Sequence, residues 1–381
     1  MKVLHLGKYY SPFSGGIEFV NQQIAEYSVE KGVETTVLCF GHKNENTVIN
    51  GVSVIRCKSN VKLLSQPLSL GYLIKGFMEA LRHDTLHVHS PNFLAFILVL
   101  LLPWKRTIVH WHGEVYDKGL IGFLVSPLVY LTLVVANKII VTTRLQQLSS
   151  SYLRYFKYKT VVIPIGLIDY ARELHVDSSN DAVLAKFSLK KSEYILFVGR
   201  LVHFKGCTDL ITAFSEIKCK NVKLVIVGEG PEEKNLLDLV EKFSLGSRVV
   251  FTGNLNSLTK LSENSTYKER LLPSLISNAK CLAFPSIHKA ESFGITMVES
   301  MVFSTPIIST IIPGSGSSWV NRNMVSGLQY PVGDIDILSD KIELMFSDDL
   351  LYKRLSKNAR RRYENIFRSE LAVSKILRLY K

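Results

Sequence analysis

The chain lacks any cysteine pair at a spacing that a metal or a redox dithiol would use. Its five cysteines (Cys39, Cys57, Cys207, Cys219, Cys281) are odd in number and scattered, which argues against a disulfide scaffold or a zinc ribbon and for reduced thiols in a cytosolic chain. It also lacks a targeting segment: Met1 to Lys8 reaches a second lysine and a Tyr9-Tyr10-Ser11-Pro12 turn before an apolar signal region forms, so export is not expected. Uninterrupted apolar runs of about 20 residues, the length a membrane span needs, are missing as well. The nearest approach, 119–137, is uncharged but interrupted by Gly119, Gly122, Ser126, Pro127 and Thr132. Pro127 near its centre is expected to break or kink a helix, giving two buried segments or one helix with a face against lipid. Phe93 to Leu102 reads as a core helix. Short-period repeats and low-complexity tracts are absent, which removes solenoids and flexible linkers.

What is present is a chain of 381 residues, 47% apolar and 21% charged, enough for two or three folded domains. The net charge of +13 is unevenly spread. Residues 1–168 carry 17 Lys and Arg against 9 Asp and Glu, residues 169–361 carry 24 against 22, and residues 362–381 carry 5 against 2. One lobe is therefore expected to face an anionic partner. Nucleic acid is not that partner by this reading. The basic stretches around Arg144, Arg154, Lys157 and Lys159 and at Arg360, Arg361 and Arg362 have no interleaved aromatic stacking motif. An anionic membrane surface is the expectation instead.

Short apolar strands alternate with helical periodicity. Val3–Leu6, Thr35–Phe40, Val52–Cys57, Thr85–His89, Thr107–Trp111 and Lys138–Thr142 are expected strands of a first parallel sheet. The polar segment Asp169 to Glu193 is expected to be a hinge. The pattern then restarts with Tyr194–Val198, Val222–Val227, Val249–Thr252 and Lys280–Phe284. The expected fold class is α/β, with two Rossmann-like domains in tandem whose ligands bind beyond the carboxyl ends of the strands.

Residues with chemistry fall at those ends. Arg200 and Lys205, past the Tyr194–Val198 strand on a glycine-flanked turn, suit a diphosphate: one as a planar fork, the other as a compact charge. Glu291 and Glu299 flank Phe293, Gly294 and Ile295 at a strand-to-helix junction, where free N–H groups favour anionic oxygens. In a continuous helix the two carboxylates would stand about 12 Å apart, so they would reach opposite ends of an extended ligand. Gly15 and Gly16 allow close backbone approach in the first loop, but without a full G-x-G-x-x-G fingerprint, which disfavours a nicotinamide dehydrogenase. Gly230, in Gly228-Glu229-Gly230-Pro231, reads as the turn that starts the next helix. The pairs His87/His89 and His110/His112 each share a strand face, yet neither has a third ligand nearby in sequence, so no metal is expected. Asp334 before Ile335-Asp336 reads as a helix N-cap rather than an Asp-x-Asp metal site.

In order along the chain stand Gly15-Gly16, Val88-His89-Ser90-Pro91, His110-Trp111-His112-Gly113, Pro164-Ile165-Gly166, Gly199-Arg200-Leu201 with Lys205-Gly206, Gly228-Glu229-Gly230-Pro231, and Glu291 with Glu299. This set resembles the retaining glycosyltransferases of family four, which have the two-domain GT-B fold and use nucleotide-diphosphate sugars. The resemblance implies an N-terminal acceptor domain, 1–168, facing across a cleft a C-terminal donor domain, 169–361. The last helix, from Arg362, would return to the first domain and bring +11 of the net charge to one side. It implies that Arg200 and Lys205 hold the donor diphosphate, Glu299 the ribose, and Glu291 with the amides of Phe293, Gly294 and Ile295 the transferred sugar. His112 would lie near the reacting centre and Gly16 would offer its amide to a phosphate. Retention would follow from front-face attack, with no metal and no cofactor.

The segments Leu4–Glu18 and Pro313–Asn321 are most similar to bacterial members that build O-antigen or capsule, with a polyprenyl-diphosphate-linked saccharide as acceptor at the inner face of the cell membrane. The donor is expected to be a GDP- or UDP-linked hexose or N-acetylhexosamine. Gly113-Glu114 stands where many mannosyl-transferring relatives have Ser-Asp, which leaves the sugar open. An inactive nucleotide-sugar sensor and a same-fold epimerase are the alternative readings.

Overall fold

A computed structural model describes residues 1–12, 15–63, 66–113, 119–173, 180–255 and 271–381. The expectations that touch Phe13, Ser14 and Glu114, and the part of the expected hinge at 174–179, lie outside the described residues. The chain forms two compact units, Met1–Gly166 with Ser369–Lys381, and Leu167–Arg368.

The first unit contains strands β1 Lys2–Leu6, β2 Glu34–Gly41, β3 Glu45–Ile49, β4 Val52–Lys58, β5 Val61–Leu63, β6 Gln66–Leu68, β7 Thr85–Ser90, β8 Arg106–Trp111, β9 Lys138–Val141 and β10 Thr160–Val162. Strands β5 and β6 form a small hairpin, and the other eight make one sheet in the order β10-β9-β8-β7-β1-β2-β4-β3. All pairings in that sheet are parallel except β3 with β4. Every residue of β7 is buried, as expected of an inner strand covered on both faces. Because side chains alternate, Leu4, Leu6, Leu86, Val88, Val109 and Trp111 point to one face, where they pack with the helices Leu70–Arg82, Phe93–Leu101 and Gly119–Val135. The opposite face carries His5, His87, His89 and His110, with His5 level with His87 and His89 level with His110.

Of the two readings of the run 119–137, two segments or one helix, the structure has one helix, Gly119–Val135, with Pro127 inside it. Proline removes one backbone hydrogen bond, and burial of Val129 and Leu133 in the core offsets that loss. No described helix is long and apolar enough to cross a membrane.

The second unit contains β11 Tyr194–Val198, β12 Lys223–Val227, β13 Val249–Gly253, β14 Cys281–Phe284, β15 Ile307–Ile311 and β16 Gly327–Pro331, in the spatial order β13-β12-β11-β14-β15-β16. The order reverses between β11 and β14, which marks the strand ends where an open parallel sheet holds a ligand. Asp334 is the N-cap of the helix Ile335–Ser347, accepting from the Ile337 N–H at 3.0 Å.

Three boundaries differ from expectation. The chain leaves the first unit at Gly166–Leu167, and the expected hinge belongs to the second unit, with helices Tyr170–Glu173 and Asn180–Lys186. The return to the first unit begins at Ser369, not Arg362. Arg362 is held within the second unit, donating to the Trp319 and Val320 carbonyls at 2.7 and 2.8 Å, and burial pushes its pKa down to about 10. The first unit therefore carries 20 Lys and Arg against 10 Asp and Glu, a net +10.

Arg360 explains why Asp169 is not a free hinge residue. Its guanidinium grips both Asp169 oxygens, with Nη1 to Oδ1 at 2.9 Å, and donates to the Val302 carbonyl at 2.6 Å. Both side chains are more than four-fifths buried. Removing one partner strands the other in a poorly solvated place, so Arg360→Ala is expected to lower the unfolding free energy by about 3 kcal/mol. Arg354→Ala, exposed on the same helix, is expected to stay within about 0.5 kcal/mol. Urea unfolding curves of the two variants check this.

Candidate active site

In the second unit the loops after β11, β12 and β14 are held together by glycines. Gly206 has φ +69° and a Cβ there would fall 2.1 Å from the Pro285 carbonyl oxygen, so the loop after β11 lies directly on the loop after β14. Gly228, at φ +141°, allows an equally close approach to the Gly199 carbonyl. At Gly230 the missing side chain admits the Leu201 carbonyl, whose oxygen would be 2.2 Å from a Cβ. Hydrogen bonds then fasten the loops: Gly199 N–H to Val227, Leu201 N–H to Glu229, and Glu232 N–H to Leu201.

That contact brings Lys205 and Glu291 together across the point where the strand order reverses. Lys205 Nζ donates to Glu291 Oε2 in a close ion pair, with the two side chains 18% and 13% exposed. The ammonium also sits 5.4 Å from the Phe284 ring centre. Ser286 Oγ donates to the same Glu291 oxygen at 3.4 Å, and Ser315 Oγ donates to the Glu291 main-chain carbonyl. Thr310 in turn fixes Ser286 through its carbonyl at 2.5 Å. Sequence reasoning missed Ser286, Thr310 and Ser315, because nothing in their spacing reveals that β14 and β15 are neighbours.

Glu291 lies before the helix Ile295–Val302, so the two carboxylates are not on one continuous helix as the spacing argument assumed. Gly294, at φ +83°, is the N-cap and supplies no side-chain acceptor. The N–H groups of Phe293, Gly294 and Ile295 meet no acceptor among the described residues. Phe293 is buried against the Phe367 ring, which fixes this turn. Glu299, one helical turn further, is buried, and the loss of hydration pushes its carboxyl up to about 7. Arg200 is exposed on the loop after β11 and has no ion pair among the described residues, so Lys205 but not Arg200 is joined to Glu291.

The remaining expected residues belong to the first unit. Gly15 is the N-cap of the helix Gly16–Glu30, both glycines are exposed, and no side chain caps that end. His112 follows β8 directly and is buried; desolvation pushes its imidazole down to about 3, so it is neutral. Its Nε2 lies 3.0 Å from His89 Nδ1. His89 Nε2 lies 3.2 Å from His5 Nδ1, which makes His5 the neighbour that the two His-x-His pairs lacked in sequence. The parity of His5 in Val3–Leu6 held the signal, but the register with β7 did not show. His5, His87 and His89, and likewise His89, His110 and His112, have ring nitrogens within 4.8 Å of one another, a donor set that a divalent transition metal accepts. The same nitrogens are hydrogen-bonded to one another and to Tyr380 and Asn21.

Comparison with known proteins shows the family and the fold. Residues 14–167 match the model described as Glycosyltransferase Family 4, and residues 181–362 match Glycosyl transferases group 1. The chain is a glycosyltransferase of these families. It is 29% identical over its whole length to the O-antigen chain mannosyltransferase C of Escherichia coli, covering 98% of that protein. It is 27% identical to the D-rhamnosyltransferase WbpZ of Pseudomonas aeruginosa, over 96% of this chain and 92% of that one. HepE of Anabaena, solved with UDP-glucose, superposes with a TM-score of 0.78 over 99% of this chain and 98% of that one at 18% identity. The likeness supports two Rossmann-like domains of the GT-B type.

The raised carboxyl of Glu299 makes stability pH-dependent. The folded state holds that proton more tightly than the unfolded chain, whose carboxyl titrates near 4.5, so this contribution is full below about 4.5 and is lost as pH rises through about 7. Glu299→Gln removes the titration. The variant is expected to match the wild type at pH 4.5 and to exceed it at pH 8 by up to about 3 kcal/mol, in denaturant unfolding at the two pH values.

Proposed function

We propose that the glycosyltransferase is retaining and moves a hexose or N-acetylhexosamine from a GDP- or UDP-linked sugar to a polyprenyl-diphosphate-linked saccharide during bacterial O-antigen or capsule synthesis. The observation that carries this reading is the Lys205–Glu291 pair beside the open turn at Phe293, Gly294 and Ile295, on the strand ends where the sheet order reverses. A diphosphate arriving at Lys205 shares the ammonium with Glu291, and Arg200 on the same loop adds a planar fork. Freed from Lys205, the Glu291 carboxylate accepts from sugar hydroxyls. Glu299 accepts from the ribose, and Gly230 lets the main chain come close to the nucleotide. Negative charge grows on the diphosphate as the sugar–phosphate bond breaks, and cations already in place stabilise that charge most at the transition state. The departing phosphate takes the acceptor hydroxyl's proton on the same face, which gives retention without a protein nucleophile or a metal. Gly16 offers an amide to the phosphate and His112 contacts the sugar.

The sugar-transferring names of the two relatives above support a surface-polysaccharide role. So does a polyprenyl-linked acceptor in the name of a third, the diphospho-undecaprenol N-acetylgalactosaminyltransferase of Campylobacter jejuni, 29% identical over 45% of this chain and 42% of that protein. Lys205→Ala is expected to lower turnover 100- to 1000-fold in nucleotide-diphosphate release with acceptor, while the wild type keeps its rate in EDTA. Near-normal turnover of the variant rejects the role of Lys205, and loss of wild-type activity in EDTA rejects metal independence.

Peripheral association with the cytoplasmic membrane face completes the proposal. Leu70, Ile74, Met78 and Leu81 recur along the helix Leu70–Arg82 and are each about half exposed or more. Lys105 Nζ donates to the Leu81 and His83 carbonyls at the end of that helix, which places the exposed Trp104 beside it. Apolar side chains with cations around them suit an anionic bilayer. Sedimentation with phosphatidylglycerol vesicles is expected to capture the wild type and not Ile74→Glu/Met78→Glu, with unchanged thermal midpoints; equal capture of the two overturns this surface.

A further inference from the structure

We infer that the buried histidines of the first unit form a polarised hydrogen-bond chain that fixes His112 as the tautomer with its proton on Nδ1, its Nε2 lone pair being spent on His89. The rings occupy one sheet face. His110 Nδ1 is 3.4 Å from His87 Nε2, His87 Nδ1 is 2.6 Å from Tyr380 Oη, and Tyr380 Oη is 3.3 Å from His5 Nε2. His5 Nδ1 is 3.2 Å from His89 Nε2, and His89 Nδ1 is 3.0 Å from His112 Nε2. Each neutral imidazole has one N–H and one lone pair, so along the run His5–His89–His112 the tautomer of the first ring sets those of the other two.

The contact with Asn21 selects the polarity. His5 Nδ1 lies 2.9 Å from Asn21 Oδ1, an acceptor, so Nδ1 carries the proton, which it shares with His89 Nε2. His5 Nε2, left with its lone pair, accepts from the one Tyr380 hydroxyl proton, and Tyr380 Oη accepts from His87 Nδ1. At the far end His110 Nε2 is buried without a partner and borders a small cavity that Gln23 also lines, whose Nε2 is likewise unpartnered. A proton on His110 Nε2 would add a second orphaned donor there, and an orphaned N–H is costlier than an orphaned lone pair. His110 thus carries its proton on Nδ1 and donates to His87.

His89 Nδ1–H then donates to His112 Nε2. What His112 has left to offer is Nδ1–H, which has no partner among the described residues. It is a hydrogen-bond donor and not a general base. Burial keeps His5, His87, His89, His110 and His112 neutral, and the groups facing them from the adjoining helices, Asn21, Ser28 and Tyr380, carry no charge near pH 7. His89, His5 and Tyr380 are positioning residues. That this N–H meets the transferred sugar or its phosphate rests on the proposed function; the tautomer does not.

The test uses the full chain labelled with 15N-histidine and two-bond proton–nitrogen correlation spectra, with His112 assigned by the signal that His112→Gln removes. At pH 7 His112 is expected to show a protonated Nδ1 and an unprotonated Nε2, unchanged between pH 5.5 and 8. A protonated Nε2, an imidazolium, or one equivalent of tightly bound transition metal in the purified protein overturns the assignment. Asn21→Leu combined with Tyr380→Phe removes both groups that hold His5 in this tautomer without removing an imidazole, and is expected to give His112 as a mixture of both tautomers. Where transferase activity is established, kcat should fall several-fold in that variant while the donor KM holds. A His112 spectrum identical to the wild type in that variant overturns the positioning role of Asn21 and Tyr380. A protein with the expected tautomer but no turnover on any nucleotide sugar refutes the proposed function and leaves this inference standing.

Discussion

The contact between the Gly206 backbone and the Pro285 carbonyl is the constraint on which the donor-side chemistry depends. It puts the ends of β11 and β14 against each other, and only a residue with no side chain permits it at that conformation. Lys205 and Glu291, 86 residues apart in sequence, are neighbours because of that approach. Their mutual neutralisation lets an ammonium and a carboxylate stay mostly buried at the edge of an apolar sheet, where either alone would carry a large desolvation cost. In the proposed reaction an incoming diphosphate would exchange one partner of the ammonium for another, so that the site would need little reorganisation as charge develops.

The two units solve the polar-burial problem differently. The donor-side unit uses opposite charges and hydroxyl groups around Glu291. The first unit places five neutral imidazoles on one sheet face, hydrogen-bonded to one another, and a phenol from the helix Ser369–Tyr380 links two of them. Low permittivity keeps the rings neutral, and neutrality is what allows each to be both donor and acceptor.

Much of this was legible in the sequence where the signal is local. The ten expected strands are present, since continuous apolar runs followed by glycine or proline mark inner parallel strands. Asp334 was legible as a cap because the acceptor and the helix it serves are adjacent. Four further sheet strands were not: β3 alternates in burial at the sheet edge, β10 has only three residues, and β15 and β16 follow the catalytic-looking Glu299 helix without a loop motif to announce them. At the site, residue types and spacing indicated Lys205, Glu291 and the open turn at Gly294. They did not indicate Ser286, Ser315, His5 or Tyr380, whose roles come from register and from chain return. At Pro127 the local rule left two readings open, and the structure has the single helix.

The passage of the chain out of the first unit at Gly166–Leu167 and back at Arg368–Ser369 has a consequence for biosynthesis. The N-terminal sheet emerges from the ribosome long before the segment that covers its histidine face. Until Ser369–Tyr380 is made, Arg106 lacks the Leu379 carbonyl it binds and His87 lacks its phenol. The nascent unit must therefore wait, with part of its interior wet, while the whole donor-side unit is translated. Completion of the older half is timed by its own second segment, Ser369–Lys381, which is made after the younger unit.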